Sequence, residues 1–216
     1  MAGARIHAKI CGVSEPAALN AAVDGGAAFV GFVFFPPSPR CVSPPQAADL
    51  ARLLPTAVRS VGLFVDPCDD FLADVTSQVP FDLLQLHGKE TPQRLAEIKA
   101  RFRLPVMKAF KIGAPADLDA VADYYDVADR LLFDAKPPEH APLPGGHGVA
   151  VDWTLLAGRT WPKPWMLSGG LNVGNVREGV AVTGAPAVDV SSGVESAPGR
   201  KSPELIRAFL QTVAGI

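Results

Sequence analysis

Two polar residues end otherwise apolar runs. Cys11 follows Lys9-Ile10 at the close of the first such run, and Asp134 follows Leu131-Leu132-Phe133. By type alone a free cysteine is a small core hydrophobe, and an aspartate behind a strand is a common loop cap. Position adds a chemical reading. Strand alternation puts Lys9 and Cys11 on one face, where an ammonium favours the thiolate that a general base needs. Partial burial of Asp134 would keep a proton on it, as a general acid needs. A base and an acid facing one another suit proton transfer on a small molecule.

Other residues could hold that molecule. Gly145-Gly146-His147-Gly148, Ser168-Gly169-Gly170 and Ser191-Ser192-Gly193 form three glycine-rich turns late in the chain. Glycine lets backbone N–H groups approach an anion, and in a barrel enzyme the seventh and eighth loops are a frequent phosphate site. Arg40, in Ser38-Pro39-Arg40, could pair with a carboxylate, or be an exposed arginine with no partner. His87 shares a strand face with Gln85, and a satisfied core histidine is the commoner case. Lys108 lies within Val106-Met107-Lys108-Ala109-Phe110, where an ammonium is costly unless it is paired or reaches an opening.

The elements that must position these residues are read from periodicity. Apolar runs of strand type begin near Ile6, Ala28, Ser60, Leu83, Pro105, Leu131, Trp165 and Ala187. Helix-entry signals fall between them at Ser14, Ser43, Thr91, Asn172 and Ser202, several with a proline in the first turn. Eight such units with no linker or low-complexity tract predict an α/β fold, a single (β/α)8 TIM barrel over residues 1–216. The alternative is an open doubly wound sheet, but no G-x-G-x-x-G follows the first strand. In a barrel the chemistry sits at the C-terminal strand ends, where Cys11 and Asp134 both fall.

Composition narrows the partners. The 216 residues are 48% hydrophobic with a formal net charge of -2, so a nucleic acid or an anionic membrane is not expected as a partner. The longest apolar run, Ala27 to Phe35, is far short of the roughly 20 residues of a membrane span. No apolar signal segment follows Met1, and a cytoplasmic location is expected. Cys11, Cys41 and Cys68 are widely spaced, and the four histidines show no metal-ligand pattern. Neither disulfide nor metal is expected.

Taken in order, Lys9-Ile10-Cys11-Gly12, Gly31-Phe32-Val33-Phe34 leading to Ser38-Pro39-Arg40, Val61-Gly62-Leu63-Phe64-Val65, Leu84-Gln85-Leu86-His87-Gly88, Asp134, Pro144-Gly145-Gly146-His147-Gly148 ending at Asp152-Trp153, Ser168-Gly169-Gly170-Leu171-Asn172 and Asp189-Val190-Ser191-Ser192-Gly193-Val194-Glu195 resemble the phosphoribosylanthranilate isomerase family over the whole chain. The resemblance implies a (β/α)8 barrel that carries out an Amadori rearrangement in tryptophan biosynthesis, with a phosphoribosyl small molecule as partner and no cofactor or metal. It implies Asp134 as general acid, Cys11 as general base and Arg40 as holder of the anthranilate carboxylate. Gly146, Gly148, Gly169, Gly170 and Gly193 fall in the phosphate-binding turns, Asp189 and Ser191 line the sugar-phosphate end, and His87 joins the substrate-binding candidates. His147 departs from the family's usual small hydroxyl residue. Residues 135–144, with Lys136, Glu139 and His140, have no clear counterpart. Another phosphosugar enzyme, of epimerase or indole-glycerol-phosphate synthase type, and a barrel that only binds a phosphorylated metabolite are the alternatives. The expected assembly is a monomer or a homodimer.

Overall fold

A computed structural model of the chain describes residues 5–135 and 152–216. The turn holding Gly146 and Gly148, with His147, lies outside the described residues. Eight parallel strands close a ring in chain order: β1 (His7–Cys11), β2 (Phe29–Phe34), β3 (Arg59–Phe64), β4 (Leu83–Leu86), β5 (Val106–Ile112), β6 (Arg130–Ala135), β7 (Trp165–Leu167) and β8 (Ala187–Val190). Each begins within one residue of the position read from the sequence. The seam joins β1 to β8 with Lys9 beside Asp189 in register. Behind β8, β9 (Glu195–Ala197) and β10 (Arg200–Lys201) form a small antiparallel hairpin.

The covering helices are α1 (Pro16–Asp24), α2 (Pro44–Ala51), α3 (Asp69–Gln78), α4 (Pro92–Phe102), α5 (Val176–Thr183) and α6 (Pro203–Ala214). Ser43, Thr91 and Ser202 cap α2, α4 and α6 by accepting the N–H groups of Gln46, Arg94 and Leu205, each ahead of a proline in the first turn. The other two entry signals are displaced. Glu15, not Ser14, precedes α1 and makes no side-chain cap. Asn172 accepts the Gly174 N–H at 2.8 Å, and α5 starts only at Val176. A short amide side chain that bonds its own backbone two residues on makes a turn rather than a helix. After β5 the connection is a 3-10 helix, Pro115–Tyr124, and after β6 a short one, Trp153–Leu155.

Strand alternation divides the core in two. Ile10, Val30, Phe32, Phe64, Leu84, Leu131 and Phe133 face outward and pack against the helices. All seven are fully buried, each contributing about 1.5–3 kcal/mol of apolar burial. Phe29, Val61, Leu83, Met107, Leu132, Met166 and Ala187 cluster inside the ring. One step on towards the C-terminal strand ends, the inward positions turn polar as Lys9, Gln85 and Asp189, and then become Cys11, His87 and Asp134. The apolar plug closes the lower ring, and the site lies above it.

Candidate active site

The seam carries the thiol. Lys9 is wholly buried, and its Nζ donates to Asp189 Oδ1 at 2.9 Å. The Ser168 hydroxyl donates to Asp189 Oδ2 at 3.2 Å, so the carboxylate is paired on both oxygens. A Cβ placed on Gly31 of β2 would meet Cys11 Sγ at 3.1 Å and Lys9 Nζ at 3.2 Å. Glycine there gives the two side chains their shared space. Burial pushes the Lys9 pKa down, but Asp189 and then Cys11 more than offset it, leaving it above its ordinary value. Burial pushes the Cys11 thiol up, and Lys9 opposes this without overcoming it. Lys9 thus favours the thiolate, as the shared strand face led one to expect, but desolvation outweighs it.

The carboxyl belongs to a buried relay. Asp134 Oδ2 lies 3.1 Å from His87 Nε2, and His87 Nδ1 lies 3.0 Å from Gln85 Nε2. Asp134 Oδ1 accepts the Ala135 N–H at 3.0 Å. Both members of this His–Asp contact are mostly shielded from solvent. β6 stands three places from β1 around the ring, so the carboxyl and the thiol approach the mouth from separate sides.

Arg40 is neither exposed nor free. Its Nε and Nη2 donate to the two oxygens of Glu195 at 2.7 and 2.9 Å, a bidentate clamp. Lys201 Nζ donates to Glu195 Oε1 at 2.6 Å and to the Ser191 carbonyl at 2.9 Å. The hairpin of β9 and β10 thus fixes the loop after β2. Gly12, at φ 78°, makes room for this, since a Cβ there would sit 2.8 Å from Arg40 Cδ. Burial pushes the Glu195 carboxyl up, but Arg40 and Lys201 hold it below its ordinary value. Arg40 Nη1 bonds to no described side chain, so the guanidinium keeps an edge for an anion.

Loops 7 and 8 meet at the remaining corner. Gly169 and Gly170 both have positive φ, 88° and 65°, a conformation glycine takes without a Cβ penalty. Their N–H groups bond to no described residue, as suits a concave anion seat. A Cβ on Gly193 would fall 1.9 Å from the Leu171 carbonyl oxygen. The Ser191 hydroxyl donates to the Cys11 carbonyl at 3.1 Å.

One cleft unites these groups. Cys11, Arg40, His87, Asp134, Gly169, Gly170, Asp189 and Ser191 all line it, with about 710 Å3 of space including its open mouth. Gly193 does not line it, although its neighbour Ser192 does. Lys108 is elsewhere: its ammonium faces away from the ring and pairs with buried Glu90 at 2.7 Å. No cluster of metal ligands occurs among the described residues. The sequence reading missed Glu195 as the partner of Arg40 and Lys201 as the partner of Glu195. The turn Ala197-Pro198-Gly199-Arg200 was their only local signal. The sequence reading set Gln85 and His87 on one strand face, and the structure joins them; it missed Ser168 as a partner of Asp189.

Comparison with known proteins places this arrangement. A family model described as N-(5'phosphoribosyl)anthranilate (PRA) isomerase matches residues 8–212. N-(5'-phosphoribosyl)anthranilate isomerase of Rhodospirillum centenum is 58% identical over 212 residues, 98% of this chain and 99% of the relative. The crystal structure of phosphoribosyl anthranilate isomerase from Thermotoga maritima superposes with a TM-score of 0.86 at 35% identity, covering 98% of this chain and 100% of the other; the Thermotoga enzyme is described as dimeric. A crystal structure of the isomerase in complex with reduced 1-(o-carboxyphenylamino)-1-deoxyribulose 5-phosphate gives a TM-score of 0.83 at 33% identity, over 98% and 100% of the two chains. With the family model matched over residues 8–212 and relatives more than half identical along nearly the whole length, the chain belongs to the phosphoribosylanthranilate isomerase family.

Proposed function

We propose that the chain isomerises N-(5-phosphoribosyl)anthranilate to 1-(2-carboxyphenylamino)-1-deoxyribulose 5-phosphate, an aldose-to-ketose rearrangement in tryptophan biosynthesis. The carrying observation is that Cys11 and Asp134, from strands three places apart, line one cleft with the Gly169-Gly170 turn and Arg40. Asp134 gives a proton to the furanose ring oxygen, and the ring opens to a Schiff base. The Cys11 thiolate then takes the C2' proton, and the resulting enolamine tautomerises to the ketone. Arg40 pairs with the anthranilate carboxylate while the glycine turns of loops 7 and 8 hold the phosphate. Asp189 keeps Lys9 charged beneath the thiol, where the ammonium stabilises the thiolate once formed.

The relative crystallised with the reduced ketose product supports this reading. The assembly is a monomer or a homodimer, the Thermotoga relative being described as dimeric. No helix among the described residues is long and apolar enough to cross a membrane. The test follows the loss of phosphoribosylanthranilate fluorescence with purified protein. Cys11→Ser and Asp134→Asn should each lower kcat by about 10²–10⁴-fold. Full activity in both variants would exclude the mechanism.

A further inference from the structure

Gln85 and His87 lie two residues apart at the end of β4, so both side chains turn toward the barrel axis, and both line the cleft. Gln85 is wholly buried. Its Nε2 sits 3.0 Å from His87 Nδ1, whereas its Oε1 has no hydrogen-bond partner among the described residues. A buried amide oxygen left unpaired is uncommon in folded proteins and calls for a reason.

A neutral imidazole carries one N–H and one lone pair. An amide N–H directed at Nδ1 needs the lone pair there, which puts the ring proton on Nε2, facing Asp134 Oδ2 at 3.1 Å. With the amide reversed, its oxygen would take a proton on Nδ1. The Nε2 lone pair would then accept the carboxyl proton of Asp134. The orientation of Gln85 and the position of the acid's proton are thus linked through one ring.

We propose that Gln85 is a positioning residue for the acid: by donating to His87 Nδ1 it keeps the ring proton on Nε2, so that Asp134 Oδ2 accepts from His87 and the acid's proton is confined to Oδ1. The proposal rests on the reading of Asp134 as the general acid. It gives the unpaired Oε1 its reason, since the amide is kept in place for its donor. When that donor is lost, the ring proton can move to Nδ1 by exchange with water, and the carboxyl turns its own proton onto Nε2, away from the substrate. The numbers of protons on the ring and on the carboxyl are unchanged; only their positions differ.

The test uses the full chain labelled with 15N-histidine, with His87→Asn assigning the His87 signals. In wild type at neutral pH, two-bond proton–nitrogen correlations should report the Nε2–H tautomer. In Gln85→Glu the added carboxylate accepts from Nδ1, and that nitrogen should become protonated. Turnover should then fall about tenfold or more in kcat, with KM within about twofold. Gln85→Leu, which lacks donor and acceptor alike, should give mixed tautomers and an intermediate kcat, and it serves if the glutamate variant does not fold. A wild-type ring protonated on Nδ1 would overturn the proposal, as would undiminished kcat in a variant whose tautomer has changed. Absence of turnover in wild type would instead overturn the isomerase reading, and the tautomer measurement would still report on the Gln85–His87 bond.

Discussion

At Cys11, burial and charge act in opposite directions, and the winner decides how the residue can serve as a base. Burial raises the thiol pKa and Lys9 lowers it, with a net rise. Replacing the ammonium should therefore move the thiol further up. Cysteine alkylation followed against pH should give a higher midpoint in Lys9→Met than in wild type, and an unchanged midpoint would remove Lys9 from the account. Stability follows the same sign. A group whose pKa is higher in the folded state stabilises fully below its unfolded value, here the ordinary thiol value of 9.0, and loses this as pH rises through the folded value. The melting temperature of wild type relative to Cys11→Ala should fall over that alkaline range. That Cys11 and Asp134 would lie at one end of the barrel was legible in the sequence, because each ends an apolar run at a strand end. The contest between burial and charge at Cys11 was not, because the desolvation that decides it comes from residues far apart in the chain. The clamp on Arg40 was hidden for a similar reason, since its partner Glu195 lies 155 residues away.

Strands were more legible than helices because a buried parallel strand is written as a continuous apolar run, as in Phe29-Val30-Gly31-Phe32-Val33-Phe34. Helix entry depends on whether one short polar side chain caps a helix or makes a turn. Ser43, Thr91 and Ser202 cap, whereas Asn172 makes the turn that shapes loop 7. The puzzle of Lys108 resolves at this scale too. Alternation turns it away from the ring, and Glu90, at the foot of α4, neutralises it. Loop 7 also explains why residue 193 is glycine, given the approach of Leu171 O. Gly193→Ala cannot be accommodated by turning a side chain, because the obstacle is backbone, so loops 7 and 8 must separate. The expected result is a KM for the phosphorylated substrate raised about tenfold or more, by loss of the shared phosphate corner, with a smaller change in kcat. Equal KM values for variant and wild type would show that the corner does not hold the phosphate.

The ring as a whole is closed by residues from its two ends, and that closure holds a buried ion pair. Lys9 and Asp189 pair in register across the seam at 2.9 Å, 180 residues apart in the chain. Charges so deeply buried contribute little net stability, since their attraction mainly offsets the cost of leaving water. An apolar pair would hold the seam as well, so the fold alone does not call for the ion pair. Removal of one partner differs, because it strands a buried charge. Lys9→Met and Asp189→Leu should each lower the urea unfolding free energy by about 3–5 kcal/mol. The double variant, with an apolar seam, should lose much less than the sum of the two. If the pair serves chemistry, that double variant should remain folded yet turn over far more slowly than wild type. A double variant as destabilised as the summed singles would make the ion pair a structural clasp. A stable double variant with normal kcat would release both residues from any part in the reaction.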